Sequence, residues 1–186
     1  MTKGYLLLIA LVGFISCQNK NEKSRSELIK SDSAESILAA NQENEPPDLQ
    51  QFFGMKYKDD SDLEPLKRNG GGTLYDNKFE GTYGILDCSY QGFRILFLER
   101  LLDDSTYHAE ILDGIAVKVA EDEFISIQLC QKEGTKDMEI IALSKLENEK
   151  EYYDQIKKAW RANRQTGKIE EISPSNIKCM NEGYGI

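Results

Sequence analysis

Residues 144–168 read "SKLENEKEYYDQIKKAWRANRQTGK", and the period assigned to this stretch decides the fold class. Leu146, Tyr153, Ile156 and Trp160 follow one another at spacings of 7, 3 and 4. Such spacings put them on one stripe of an α-helix. Ser144 stands where an N-cap would, Glu147 is its capping-box partner three residues on, and Gly167 closes the element. The pattern predicts a helix, with Trp160 as its large apolar plug.

Upstream the period is that of strands. "YGILDCSY" (83–90) and "FRILFLER" (93–100) are two apolar runs separated by Gln91 and Gly92, which predicts a tight hairpin. "TYHAEIL" (106–112) alternates and meets Asp113-Gly114, a strong hairpin signal because both residues tolerate positive φ. "IAVKVA" (115–120) reads as the return strand, followed by "EFISIQLCQ" (123–131) and "MEIIALS" (138–144). Beyond the helix, "KIEEIS" (168–173) reads as a last strand. The expected fold class is therefore α+β: an antiparallel β-meander of about six to seven strands packed against one helix in the C-terminal half.

The globular domain is expected to span residues 73–186. Residues 18–72 read as a polar, flexible tether, with paired prolines in "NQENEPPD" (41–48) and a hinge in "RNGGG" (68–72). Within it "LQQFFGMKY" (49–57) is a small apolar island, expected to dock on the domain, and Phe52 and Phe53 are its candidate partner surface.

The chain opens "MTKGYLLLIALVGFISC". Lys3 supplies a positive start, and Tyr5 to Ile15 form an apolar core of eleven residues. A membrane-crossing helix needs about twenty. The length is that of a signal-peptide core. "FISC" (14–17) resembles the lipobox of bacterial lipoproteins, with apolar Phe14 and Ile15, small Ser16, then Cys17. The resemblance implies a signal peptide over 1–17, cleavage before Cys17 and lipid attachment to that residue. It further implies a cell-envelope location, on the periplasmic face or at the cell surface, and membrane contact through the anchor.

Cleavage there would remove one basic residue and no acidic one, leaving 22 basic against 32 acidic side chains, a formal charge of −10. That balance argues against nucleic acid, whose phosphates need clustered Lys and Arg. It suits a basic protein partner.

With Cys17 carrying lipid, Cys88, Cys130 and Cys179 remain in a compartment that permits disulfides. One bond and one leftover thiol is the simplest account, and three pairings stay open. Cys179 sits in the terminal segment, where tying down a tail is useful. Cys88–Cys179 is the preferred pair, with Cys130 as the alternative.

The spacings fit no zinc pattern, and His108 is the only histidine. It lies on the polar side of an alternating run, with no nucleophile motif around it. The acidic clusters at 59–62, 103–104 and 121–123 lack the ligand order of a calcium loop and read as charged loops. "NGGGT" (69–73) lacks the Lys-Ser/Thr of a phosphate-binding loop. No metal, cofactor or catalytic set is expected.

"CSYQGFRILF" (88–97), with the anchor signal and the acidic charge, resembles the membrane-bound inhibitors of c-type lysozyme. Their Ser-Gly-x-x-Tyr type of motif is absent here. That resemblance implies inhibition of a basic envelope-attacking enzyme. The leading expectation is a non-enzymatic, lipid-anchored envelope protein that serves as a binding or assembly module, with the inhibitor as alternative.

Overall fold

The computed structural model describes residues 45–75 and 82–185. Cys17 and the signal segment lie outside the described residues, as does the tether up to residue 44. Three antiparallel sheets make up the described chain. The first holds β1 (Lys56–Tyr57), β2 (Lys67–Leu74), β3 (Thr82–Tyr90), β4 (Phe93–Leu101) and β5 (Ala109–Lys118), in the order β1-β5-β4-β3-β2. The second holds β6 (Glu123–Ile127), β9 (Ile140–Lys145), β11 (Ile156–Asn163) and β12 (Lys168–Ile172), in the order β12-β11-β9-β6. The third is built of short strands, β7 (Cys130–Lys132), β8 (Thr135–Lys136), β10 (Tyr152–Tyr153) and β13 (Ile177–Met180), in the order β10-β13-β7-β8.

Layering explains the apolar runs. A strand covered on one face alternates, whereas a strand covered on both faces is apolar at every position. In β3 and β4, Leu86, Cys88, Phe93, Ile95 and Phe97 face one core, with Phe52, Tyr57, Leu63 and Leu66 of the preceding segment. Ile85, Leu96 and Leu98 face a second core, shared with Ile125, Ile141, Leu143 and Trp160 of the second sheet. The other face of that sheet presents Ile140, Ala142 and Ala159 to a third core, against Cys130, Ile177 and Cys179 of the third sheet. The Gln91-Gly92 turn forms as its residues suggest, with both φ values positive and Tyr90 opposite Phe93.

The α+β expectation is overturned: the described chain is mostly strand and has no helix of seven residues or more. The stretch 144–168 forms the end of β9, a loop, β10, and the β11–β12 hairpin. Its supposed stripe divides among different surroundings. Leu146 is exposed in the loop, and Tyr153 is buried in the third sheet. Ile156 packs on the third core and Trp160 on the second.

A bulge supplies the physical reason. The ladder of β11 with β9 shifts register between Ile156 and Lys158, so one extra residue is inserted on β11. An inserted residue turns the strand period of two locally into three. Ile156 and Ala159 therefore reach the same core, while Trp160 and Ala162 reach the opposite one. Buried Ser144 is in β9 and donates its hydroxyl to the Phe124 carbonyl, rather than capping a helix. Gly167 does end an element, but as the positive-φ residue of a hairpin turn, its N–H donating to the Asn163 carbonyl.

Asp113-Gly114 is no turn either. Both residues lie inside β5, where the ladder to β4 has a bulge opposite Leu98 and Glu99. Gly114 is required there by packing: a Cβ at this position would collide with the Phe97 ring. The Asp113 carboxylate accepts from the Ile169 N–H at 2.8 Å and ties β12 to β5.

Residues 49–66 pack on the first sheet. Leu49–Phe52 and Asp60–Leu63 form two short 3-10 turns, Phe52 and Leu63 are buried, and β1 extends the sheet along β5. The hinge glycines are strand residues of β2, paired with β3.

Candidate functional site

The first sheet has one face that its covering segment leaves partly open. There lies a cleft of about 460 Å³, lined by Tyr57, Arg68, Gly71, Gly72, Thr73, Glu99, Leu101, Leu102, His108 and Ala109. β2 forms one side, β4 the floor, and the start of β5 with β1 the other side.

Glu99 reaches this face through strand parity. It follows Ile95 and Phe97 on the side that packs against Phe52 and Leu63. The side chain is buried, with 6% exposure. Its cross-strand partner on β3 is Gly84, where a Cβ would stand 2.7 Å from Glu99 Oε1. The glycine makes room for the carboxyl. Tyr57 Oη donates to Glu99 Oε2 at 2.5 Å, whereas Oε1 has no hydrogen-bond partner among the described residues.

Burial sets the electrostatics of the pair. Removal from water disfavours charged forms, so the Glu99 carboxyl titrates above the usual range, offset in part by the Tyr57 hydroxyl and by the charges of Arg68 and His108. The same burial, with the adjoining carboxylate, drives the Tyr57 phenol upward. Cys88, on the same face, is pushed up to about 12, chiefly by burial. It is a free, buried, protonated thiol. Arg68 pairs with Asp60 at 3.2 Å and makes no ion pair with Glu99, on which its charge acts from a distance. His108 is exposed, lies just ahead of β5, and donates its backbone N–H to the Tyr57 carbonyl.

The residues named by the sequence fare differently. The disulfide joins Cys130 to Cys179, correcting the preference for Cys88–Cys179. Cys130 and Cys179 are direct cross-strand neighbours in the β7–β13 ladder, whereas Cys88 is enclosed on the first sheet, a separate core away. Phe52 is core rather than surface, at 3% exposure and with its ring 5.6 Å from that of Phe97. Phe53 is half-buried, with the Lys168 ammonium 5.7 Å from its ring. The acidic clusters make structural contacts: Asp59 and Asp62 form a reciprocal capping box, Asp104 accepts from the Thr106 N–H, and Asp60 and Glu123 pair with Arg68 and Lys157. No group of three or more His, Cys, Asp or Glu among the described residues could hold a metal ion.

Tyr57, Arg68 and Glu99 went unread as site residues. One signal was present: a glutamate inside a continuous apolar run, "FRILFLER", is a charge placed where strands are covered on both faces. Tyr57 and Arg68 carried no such signal, since their meeting with Glu99 depends on how residues 49–72 fold back.

A second cavity of about 280 Å³ lies at the third sheet, lined by Phe124, Leu129, Tyr153, Met180 and Asn181 among others. Asn181 organises it, accepting from Tyr153 Oη at 2.9 Å and donating to the Lys150 carbonyl. No family model, no curated protein and no solved structure matches this chain.

Proposed function

We propose that the chain is a lipid-anchored binding module of the bacterial cell envelope, held at Cys17, which captures its ligand in the cleft at Glu99. The observation that carries this reading is the cleft itself. A concave site with a few convergent polar groups on a rigid sheet is the usual form of a recognition site. Here Tyr57, Arg68, Thr73 and Glu99 sit on strands, and their positions are set by the ladder. β2, on one side of the cleft, is an edge strand of its sheet. An edge strand can also accept an added strand from a partner.

A photo-crosslinking residue at Thr73 or Leu102 of the full chain, in its native envelope, tests the module. Specific adducts are expected from these two positions and not from Glu171 on β12. Absence of any cleft-specific adduct removes the reading. Mass spectrometry of the mature N-terminus tests the anchor, and an unlipidated Cys17 ends that part of it.

The inhibitor reading is favoured by charge. A formal charge of −9 over the whole chain would steer association with a strongly basic enzyme. Salt-sensitive inhibition of a c-type lysozyme is its expected signature, and lysozyme activity unchanged by excess protein eliminates it.

A further inference from the structure

We propose that the cleft binds a cation on an apolar stem, an alkylammonium or guanidinium group such as a protein partner's lysine or arginine side chain, with Glu99 as counter-ion. This deepens the binding-module reading and rests on it.

A buried carboxyl group demands a partner, since an unpaired charge in a low-dielectric site is costly. Tyr57 satisfies one oxygen, and Oε1, lying over Gly84, receives no hydrogen bond among the described residues. The titratable groups around Glu99 are Tyr57 of β1, Arg68 of β2 and His108 ahead of β5, with Cys88 further off, four positions along β3 from Gly84, the residue opposite Glu99. None supplies a direct ion pair. Arg68 is taken up by Asp60, His108 is exposed, and the Cys88 thiol is protonated. An entering ammonium or guanidinium would bring N–H donors and the missing charge together. Charge-assisted hydrogen bonds of that kind are about twice as strong as neutral ones. An entering anion would instead meet the carboxyl and compete with Asp60 for Arg68.

The rest of the lining selects the stem. Leu101, Leu102 and Ala109 are apolar, and side chains with a charged head on a methylene chain bury the chain and present the head. Gly71 and Gly72 border the cleft through their backbone; a Cβ at Gly72 would meet the Gln128 side chain and one at Gly71 the Ile85 carbonyl.

Cation binding favours the ionised carboxyl, so it draws a proton off Glu99 wherever that group is still protonated. The affinity should therefore weaken as pH falls through the raised Glu99 titration.

Titration calorimetry on the full chain provides the test. The probes are Nα-acetyl-lysine methylamide, its arginine counterpart, putrescine, and the neutral norleucine analogue. The charged probes are expected to bind and the norleucine compound not to. Glu99→Gln should weaken binding at least about tenfold, the size expected for loss of one charged hydrogen bond. Carbon-13 NMR of the Glu99 carboxyl should report ionisation as the probe is added, a readout independent of any variant's fold. Tyr57→Phe, which leaves the counter-ion in place, should still bind.

Equal binding by Glu99→Gln, equal binding of the norleucine analogue, or no binding of any cation at millimolar concentration each overturns the proposal. Tighter binding of the amino-acid probes identifies a protein side chain as the source, and tighter binding of putrescine identifies a free polyamine. Crosslinks from Thr73 without cation binding would leave the module reading standing and remove this one alone.

Discussion

Tyr57 Oη donates a 2.5 Å hydrogen bond to Glu99 Oε2 in the interior of the first sheet, although 42 residues separate the two in sequence. Tyr57 comes from a strand of only two residues, β1, which is held against β5 by the pairings of Lys56 with Glu110 and Tyr57 with Ala109. The segment before the first long strand thus completes both the core and the cleft.

Glu99 makes stability depend on pH. Its folded-state titration is raised by burial, so the folded chain holds a proton that the unfolded chain has already lost. The stability contribution of this group is full below the unfolded carboxyl range of about 4.3 and is lost as pH rises through the higher folded value. Glu99→Gln, which cannot ionise, is therefore expected to raise the melting temperature at pH 7 to 8. The difference should vanish near pH 4, as followed by calorimetry.

Phe52 and Phe53 should separate cleanly. Truncation of a buried phenylalanine costs about 3 to 5 kcal/mol, through lost transfer free energy and the cavity left behind. Phe52→Ala should unfold at markedly lower urea. Phe53→Ala, half-buried against Lys168, is expected to cost about 1 kcal/mol or less. Equal effects would contradict the packing of Phe52 on Phe97.

The Cys130–Cys179 bond closes a separation of 49 residues. In the chain-entropy model such a loop stabilises the fold by about 4 kcal/mol. Cys130→Ser/Cys179→Ser is expected to lose an amount of that order in urea melts. Cys88 should resist alkylation in the folded protein at pH 8 and react upon unfolding, as read by intact-mass spectrometry.

Glu139 bridges two arginines. Its Oε1 accepts from Arg164 Nε and its Oε2 from Arg161, each at 2.8 Å, with Arg164 buried. Glu139→Ala removes the carboxylate from a buried guanidinium and should cost about 3 kcal/mol in equilibrium unfolding. Glu139→Gln, which keeps the acceptor oxygen, should recover part of the loss.

At Gly114 the β5 backbone lies against the Phe97 ring. Gly114→Ala forces its Cβ into Phe97, and overpacking of that kind costs about 1 to 3 kcal/mol. A variant as stable as the parent would show that the DG pair lies outside the strand, in the turn that its residues suggest.

Which parts were legible follows from where the information resides. The chain by itself determined β3, β4 and the turn between them, because Gly92 tolerates positive φ and the flanking runs are predominantly apolar. It also determined the strand character of 123–127, 140–144 and 168–172 through local pattern and composition. Residues 144–168 misled because Leu146 stands in a loop, Tyr153 in β10, and Ile156 and Trp160 on opposite faces of the bulged β11, so that residues in unlike surroundings imitate a helical stripe. A period is a local property, whereas a bulge is decided by the partner strand.

Tertiary structure alone decided the rest. Pairing of Cys130 with Cys179 depends on the β7–β13 register, and the cleft depends on the fold-back of residues 49–72 across the first sheet. Both bring together groups far apart in sequence, whose proximity no local propensity encodes. A glutamate in an apolar run announces that something must meet it; only the packed sheet supplies Tyr57 on one side and leaves the cleft on the other.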